Sequence, residues 1–286
     1  MRAPVRPIQA RWPWALERRA RRFFWADPTV LLDPGAGPED FRTAMSALHV
    51  GDTIKITGVN RHPRTDALLI ENVDTTGATI IDIGASDGST SVELVAKLPA
   101  FEAYVIADLF FTLRAAKAYG HEVFYDQRNQ PILIAGRRTL AWPSLSAPVR
   151  ALYGPVLAKA AQVSQRRDVL LLNPSARALI ARDQRVSYRV HDVFTRWDGP
   201  RPDVIKVANL LRRLYFSDEM ISTALRAILD SLPEGGHLLI VDNPRIAGID
   251  ERGGLYRKQG DAFTRIAVTP EIPEIDGLIS KVRSST

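Results

Sequence analysis

The sequence contains no cysteine among its 286 residues. This absence excludes disulfide bonds, thiolate zinc sites, iron–sulfur clusters and any cysteine nucleophile. No apolar run approaches the roughly 20 residues that a membrane-spanning helix needs, and no apolar signal segment is present, so we expect a cytoplasmic protein without a transmembrane segment. The five histidines show no metal-ligand spacing, and no metal site is predicted. With 45% hydrophobic and 24% charged residues, the composition is that of a globular protein.

Positive charge is concentrated at the amino terminus. The formal net charge is +6, and the first 22 residues hold seven arginines against Glu17 alone. The remainder of the chain carries 31 basic and 31 acidic residues and is therefore neutral. Because nucleic-acid-binding domains carry a basic surface, a neutral body disfavours a nucleic-acid partner. We expect the body to act on a small molecule or a protein.

The arginine-rich arm continues into a helix that is predicted to begin at Trp14. Leu16, Ala20, Phe23 and Phe24 lie on one face of this helix. Three roles are open for this face: packing on the main domain, covering a ligand pocket, or peripheral contact with a membrane, which aromatic and arginine side chains would permit. Packing on the main domain is the favoured interpretation.

Residues 78–90, with the sequence ATIIDIGASDGST, carry a ligand-binding pattern. The first part is an apolar, β-branched run typical of a strand buried in a parallel sheet. Gly84 and Gly88 then predict a tight loop, and a helix capped by Ser89 or Thr90 follows. A strand, a glycine loop and a helix in this order place a nucleotide-type ligand at the carboxyl edge of an open sheet.

The glycine pattern differs from that of a dinucleotide site. Ser86 stands where the second glycine of G-x-G-x-x-G belongs, and the acidic Asp82 directly precedes the loop. A carboxylate there repels a pyrophosphate and suits a ligand that carries an ammonium group. The pattern Asp82-x-Gly84-x-Ser86-x-Gly88 resembles motif I of the class I S-adenosylmethionine-dependent methyltransferases. The resemblance covers residues 76–286 and implies S-adenosylmethionine as the cofactor, with these four residues around its methionine part.

A ribose-binding residue is expected at the end of the next strand. Asp108 follows the apolar run 104–107 and lies 20 residues after Gly88, at a distance suited to binding both ribose hydroxyls. Asn173, which follows the apolar run 169–172, is the alternative. Asp108 is favoured because a carboxylate accepts two hydroxyl hydrogen bonds better than an amide does.

Two further strand ends complete the predicted site. The resemblance implies that Asp192, after the strand 186–190, contacts the adenine amino group and that Val193 or Phe194 supplies an apolar wall. It also implies that Asn209, the last residue of a fourth strand, faces the transferring methyl group. Acidic or amide residues thus end four predicted strands in succession.

The resemblance implies an α/β fold with a doubly wound, mostly parallel, seven-stranded Rossmann-like sheet. This methyltransferase domain spans residues 76–286 and contains an insertion at 109–167, where acceptor specificity or a structural extension could reside. Residues 1–75 are expected to form the basic arm and a helical cap, with a short strand at 53–57.

Elements are also predicted inside the insertion. Residues 122–126 and 131–135 are expected to pair as a hairpin, and residues 148–162 to form a helix that Pro155 could kink.

The predicted activity is in-line transfer of a methyl group to a small molecule or a protein side chain. No catalytic base is assigned, and His191 and Tyr215 are weak candidates. The segment 209–216 is weakly similar to chemotaxis-type protein methyltransferases, whose substrate is not carried over. Two alternatives stay open: an NAD-type oxidoreductase, and a non-catalytic cofactor-binding protein that keeps the methyltransferase fold.

Overall fold

The strands of the protein form two large sheets of different kinds. The computed structural model describes residues 3–50, 53–54, 61–243 and 251–285. The chain divides into two units, which we call the antiparallel unit (Met1–Thr57 with Phe110–Pro174) and the parallel unit (Gly58–Leu109 with Ser175–Thr286). This division differs from the expected boundary at residue 75, because the N-terminal segment and the insertion share one unit.

The regular elements alternate along the chain between the two units. The strands are β1 (Val5–Pro7), β2 (His49–Val50), β3 (Thr53–Ile54), β4 (Thr79–Ile83), β5 (Ala103–Asp108), β6 (Thr112–Ala118), β7 (His121–Tyr125), β8 (Pro131–Ala135), β9 (Thr139–Ala141), β10 (Arg167–Leu170), β11 (Val186–Val190), β12 (Val204–Ala208), β13 (His237–Asp242), β14 (Arg252–Gln259) and β15 (Ala262–Val268). The α-helices are α1 (Trp14–Ala20), α2 (Pro38–Met45), α3 (Pro63–Asn72), α4 (Ser89–Val95), α5 (Ala147–Leu152), α6 (Gly154–Ala161), α7 (Pro174–Arg182), α8 (Asp218–Ser231) and α9 (Asp276–Ile279). Short 3-10 helices span Arg21–Phe23 and Pro28–Leu32. Residues 55–57 of the predicted strand 53–57 lie outside the described residues.

The parallel unit contains a seven-stranded sheet in the order β11-β5-β4-β12-β13-β14-β15. The first five strands are parallel, and β14 and β15 form an antiparallel hairpin at the end of the sheet. The predicted α/β fold with a mostly parallel sheet is therefore present. The apolar runs that predicted β4 and β12 are buried on both faces, as expected for the centre of a parallel sheet, whereas the edge strand β11 is largely exposed.

Helices cover both faces of the parallel sheet. Ile81 and Ile205, on one face, belong to an apolar core that also contains Ile221 and Leu225 of α8. Helix α8 begins where the Ser217 hydroxyl accepts a hydrogen bond from the Met220 N–H, and its first turn is acidic. On the opposite face lie α4 and α3, and α3 contacts β13, β14 and β15.

The antiparallel unit contains a six-stranded sheet in the order β1-β9-β8-β7-β6-β10. The predicted hairpin in the insertion is confirmed, because β7 pairs antiparallel with β8. The helix predicted over 148–162 is two helices, α5 and α6, which meet at Tyr153 just before Pro155. The N-terminal segment is more than a helical cap, because β1 extends the sheet of the insertion by pairing with β9.

The prediction that α1 packs its apolar face is wrong. Trp14 is 71% exposed and Leu16 51% exposed, and no residue of α1 is buried. The segment is held instead by the residues before the helix, since Ile8 is buried and its N–H donates to the Arg138 carbonyl at 2.8 Å. No helix in the described part of the chain is long and apolar enough to cross a membrane.

Candidate functional site

The predicted site residues follow four neighbouring strands of the parallel unit. Strands β11, β5, β4 and β12 are adjacent and parallel, so their carboxyl ends lie at one edge of the sheet. Direct hydrogen bonds join these ends: the Ser86 N–H donates to Asp108 Oδ2 at 2.8 Å, and the His191 N–H donates to the Asp108 carbonyl at 3.1 Å. The structure therefore brings the glycine loop, the end of β5 and the end of β11 together.

The glycine loop between β4 and α4 uses left-handed backbone at three positions, Gly84 (φ +75°), Ser86 (+58°) and Gly88 (+77°). At Gly84 this backbone and the surroundings both exclude a side chain. A Cβ added there would lie 2.7 Å from Leu210 Cδ2, so the segment after β12 packs directly on the loop. The loop is thus also in contact with the fourth strand end.

The backbone N–H groups of the loop are used within the protein. Those of Gly84 and Ala85 donate to the Ala107 carbonyl at 2.8 and 3.1 Å, and that of Ser86 to Asp108. The N–H of Gly88 donates to the Ala85 carbonyl at 2.9 Å, and that of Ser89 to Asp87 Oδ1 at 3.0 Å. A phosphate-binding loop, by contrast, directs such groups at its anion.

Asp82 lies deeper than the sequence indicated. Its carboxyl is 1% exposed and lies within the sheet rather than at an open lip. Oδ2 accepts hydrogen bonds from Ser91 Oγ at 2.8 Å and from the Tyr104 hydroxyl at 3.0 Å, whereas Oδ1 has no partner among the described residues. Burial raises the pKa of Asp82, and the positive charge of Lys206 opposes that shift.

A buried ionic cluster lies beneath the loop and was missed by the sequence analysis. The fully buried Lys206 of β12 stands opposite Asp82 in the sheet register, and its Nζ lies 3.1 Å from Asp66 Oδ1. Lys97 Nζ lies 2.9 Å from the other oxygen of Asp66. Burial tends to lower the pKa of Lys206, but the attraction of Asp82 and Asp66 outweighs it and the pKa is raised. One lysine inside the apolar run VIKVA was the available signal.

The predicted adenine residues stand after β11. Asp192 Oδ1 accepts the Phe194 N–H at 3.0 Å, which fixes the turn. Val193 is buried in the apolar core of the sheet, whereas the half-buried Phe194 packs edge-on against Phe216 at 5.2 Å between centroids. Phe194 is therefore the more accessible apolar surface of the two.

The alternative ribose residue, Asn173, belongs to a different sheet. Strand β10, which precedes it, pairs antiparallel with β6 in the antiparallel unit. The Asn173 amide donates to the Pro38 carbonyl at 3.0 Å. Asp108, in contrast, ends a strand of the parallel sheet and is bonded to the glycine loop, so it alone of the two has the predicted position.

Asn209 is held in a cluster with His62 and Asn243. Asn209 Oδ1 accepts the Asn243 N–H at 2.7 Å, and Nδ2 donates to Asn243 Oδ1 at 2.8 Å. Nδ2 also lies 3.1 Å from Nε2 of His62, which is 3% exposed. Burial and then the charge of Lys206 hold the pKa of His62 well below 6.5. His62 is 147 residues from Asn209 in sequence, so no local pattern could indicate it.

The two weak base candidates both pack on aromatic rings. His191 is buried against Trp197 with ring centroids 4.9 Å apart, and burial lowers its pKa. Tyr215 is half-buried and contacts the Phe216 ring. Over the ranges that the structure describes, no group of three or more metal-ligating side chains is arranged to hold a metal ion.

Comparison with known proteins gives distant structural matches. No protein-family model and no curated protein sequence matches the chain. The solved structures that it matches include human N-acetylserotonin methyltransferase in complex with SAM, at 13% identity over 63% of this chain and 34% of that chain, with a TM-score of 0.32. They also include the mitomycin 7-O-methyltransferase MmcR, at 18% identity over 77% of this chain and 44% of that chain, with a TM-score of 0.34. A third is an O-methyltransferase family 2 protein from Planctomyces limnophilus in complex with apigenin, at 18% identity over 66% of this chain and 40% of that chain, with a TM-score of 0.36.

This chain spans less than half the length of each of these three solved chains. The further similarity to chemotaxis-type enzymes stays a prediction.

Proposed function

We propose that the protein is an S-adenosylmethionine-dependent methyltransferase that acts on a small molecule or a protein side chain. In this proposal Asp82, Gly84, Ser86 and Gly88 surround the methionine part of the cofactor. Asp108 binds the ribose, and Asn209 faces the reacting end. The adenine lies beside Asp192 and the apolar surface formed by Val193 and its neighbour Phe194.

The observation that carries the proposal is the use of the loop N–H groups within the protein. A dinucleotide needs several of these groups to bind its pyrophosphate. Here those of Gly84, Ala85, Ser86, Gly88 and Ser89 all donate to acceptors of the chain itself. The acceptor of Ser86 is a carboxylate, whose charge would repel a phosphate. A cofactor without phosphate fits this loop better, which argues against the NAD-type alternative.

Two unpartnered polar atoms support a ligand at the same loop. Asp82 Oδ1 and Ser86 Oγ are buried and have no hydrogen-bond partner among the described residues. An unsatisfied buried polar group costs about 1–3 kcal/mol, so such atoms point to a partner that is absent from the chain itself. The ammonium group and other polar atoms of a bound amino-acid moiety have the chemistry to satisfy a carboxylate and a hydroxyl oxygen.

When bound, S-adenosylmethionine supplies a methyl group on a sulfonium for in-line displacement. The contribution of the chain is then alignment and exclusion of water. Asp108 is anchored by the Ser86 N–H, so its carboxylate has a fixed position next to the glycine loop. The Asn209 amide is held on both of its polar atoms by Asn243, so it presents a fixed orientation at the end of β12.

Isothermal titration calorimetry with S-adenosylhomocysteine and with NAD tests the proposal. We expect S-adenosylhomocysteine to bind and NAD not to bind. Asp108→Asn should weaken the binding about tenfold or more, since hydrogen bonds to a charged group contribute about 1.5–3 kcal/mol. Asp183→Asn is the matched control, because Asp183 precedes β11 at the opposite edge of the sheet and pairs with Arg185. Binding of NAD alone would overturn the assignment.

A separate assay distinguishes an enzyme from a binding protein with the same fold. Transfer of labelled methyl from S-adenosylmethionine to a panel of phenols, carboxylic acids and protein substrates should produce labelled product. Tight binding of the cofactor without transfer to any member would favour the non-catalytic alternative.

A further inference from the structure

His62 is a buried polar residue at the proposed reacting end that the mechanism above leaves without a role. It precedes α3 and lies beside the Asn209 amide, at the carboxyl ends of β12 and β13. Its Nε2 lies 3.1 Å from Asn209 Nδ2, and its Nδ1 is buried without a hydrogen-bond partner among the described residues. A buried imidazole with one satisfied and one unsatisfied nitrogen indicates that a further partner is required.

The hydrogen-bond network determines which nitrogen of His62 carries the proton. The backbone N–H of Asn243 can only donate, so the atom of Asn209 that faces it at 2.7 Å must be Oδ1. The amide nitrogen of Asn209 therefore faces His62 and donates to Nε2. Because Nε2 acts as an acceptor, the proton of the neutral ring lies on Nδ1.

The surroundings of His62 keep the ring neutral and favour an anionic partner. Burial of the ring and the charges of Lys206, Arg61 and Lys97 all lower the pKa of His62. Lys206 and Lys97 are paired with Asp66, whereas Arg61 directly precedes His62 in the chain and its positive charge favours an anion at the ring. An unprotonated nitrogen, which a general base needs, is present only at Nε2, and Asn209 occupies it.

We propose that His62 is a neutral hydrogen-bond donor that binds, through Nδ1–H, an anionic oxygen of a ligand beside Asn209. The oxygen belongs to a carboxylate or a phenolate. This inference rests on the proposed function for the location of the ligand, and it assigns His62 to ligand binding rather than to proton abstraction. The oxygen has two sources, the methionine carboxylate of the cofactor or the methyl acceptor.

The protonation of His62 can be tested without any ligand. Long-range ¹H–¹⁵N spectra of the ¹⁵N-labelled full chain report which ring nitrogen carries the proton, and His62→Asn assigns the signals. We expect protonated Nδ1 and unprotonated Nε2. Asn209→Asp places a carboxylate oxygen at Nε2 while Asn243 N–H keeps its acceptor, so Nε2 should become protonated. A wild-type His62 protonated on Nε2 would overturn the inference.

The source of the oxygen can be tested with three probes on the same spectra. A shift of Nδ1–H with S-adenosylhomocysteine but not with 5′-methylthioadenosine, which lacks the amino-acid carboxylate, identifies the cofactor. A shift only when benzoate is added to the S-adenosylhomocysteine complex identifies the acceptor. If neither addition shifts Nδ1–H although calorimetry shows that S-adenosylhomocysteine binds, the inference is wrong and the proposed function stands.

Variants of His62 give a second, independent readout. In His62→Asn the side-chain amide nitrogen lies near the position of the imidazole Nδ1. In His62→Gln the amide nitrogen lies near the position of Nε2 instead. His62→Asn should keep the affinity for the probe that shifts Nδ1–H within about threefold, and His62→Gln should weaken it about tenfold. His237→Gln, at the opposite end of β13, is the control and should leave the affinity unchanged. Failure of S-adenosylhomocysteine to bind, with Nδ1–H still responding to benzoate, would overturn the proposed cofactor and retain the role of His62.

Discussion

The two units of the molecule differ in what they bury. In the antiparallel unit, the buried side chains among the described residues are aliphatic or aromatic, and Asn173 is the exception. The parallel unit buries the lysine and aspartates of the ionic cluster, two histidines and several hydroxyl residues. Because burying polar and charged groups costs free energy unless they are paired, the stability of this core depends on the ion pairs and hydrogen bonds within it.

The largest difference in the stability lost on substitution is expected between the centres of the two sheets. Lys206→Met leaves Asp82 and Asp66 buried without their central cation, which should cost about 3–5 kcal/mol of unfolding free energy. Leu133→Met, at a fully buried position of β8, changes volume little and should cost less than about 1.5 kcal/mol. Hydrogen-exchange mass spectrometry measures the unfolding free energy of each unit separately.

If Lys206→Met destabilised the parallel unit no more than Leu133→Met destabilises the antiparallel unit, the ionic cluster would be of little energetic importance. The double variant Lys206→Met/Asp82→Asn is the control. It removes one uncompensated charge and should recover part of the lost stability.

The second difference concerns two glycines with nearly the same backbone angle. Gly84 has φ +75° and a Cβ there would lie 2.7 Å from Leu210, whereas Gly120 in the antiparallel unit has φ +76° and open space around it. Alanine at Gly120 should cost about 1–2 kcal/mol from the left-handed backbone alone. Gly84→Ala should cost more, by about 1 kcal/mol or above, because Leu210 must move. Urea unfolding of both variants gives the comparison.

The variant Gly84→Ala/Leu210→Ala separates the backbone strain at position 84 from the steric clash with Leu210. Relative to Leu210→Ala alone, this double variant should lose only as much unfolding free energy as Gly120→Ala loses relative to the wild type. Equal costs of the two single glycine variants would mean that the loop relaxes freely around the new side chain.

The third difference is sensitivity to acid. Burial lowers the pKa values of His62, His191 and His237, all in the parallel unit, below the ordinary 6.5. As pH falls below about 6.5, the unfolded chain binds protons before the folded chain does, so the free energy of unfolding decreases. Each histidine contributes at most about 1.4 kcal/mol per pH unit.

Stability of the parallel unit at pH 7.5 and 5.5, from hydrogen exchange corrected for intrinsic rates, checks this slope. His62→Asn should reduce the slope. A slope that is unchanged by this substitution would show that His62 is not held neutral by the fold.

The smallest effect is expected on the exposed face of α1. Leu16→Ser should change the melting temperature little, corresponding to less than about 0.5 kcal/mol, because the side chain is already half exposed. Phe41→Ala, in the buried core of the same unit, should cost about 3–5 kcal/mol and is the comparison. A large loss from Leu16→Ser would restore the original interpretation that this helix packs on the protein.

The resemblance of the glycine loop, together with the order of the predicted strands, led us to expect the mostly parallel sheet that the structure has. Apolar β-branched runs such as 79–83 indicate buried strands, and the residues after them must lie at one edge of a parallel sheet. The order of the strands therefore brought Asp108 next to the loop that contains Ser86, as the structure has it. These features depend on local patterns and on chain direction.

The features that were not predicted depend on contacts between distant segments. Strand β1 has three residues and pairs with β9, more than 130 residues later in the chain, so no periodicity indicates it. The run before Asn173 has the same pattern as a parallel strand, and only its pairing with β6 shows that it belongs to the other sheet. The approach of His62 to Asn209 likewise depends on how α3 packs on the sheet.

The insertion of the antiparallel unit between β5 and β11 sets an order of events on the ribosome. Once residue 170 has been synthesised, the sheet of that unit has all six strands, whereas the parallel sheet has only β4 and β5. Since domains fold as units during synthesis, the antiparallel unit is completed first. The glycine loop must await β12 before Leu210 packs on it, so the proposed ligand site is completed only late in translation.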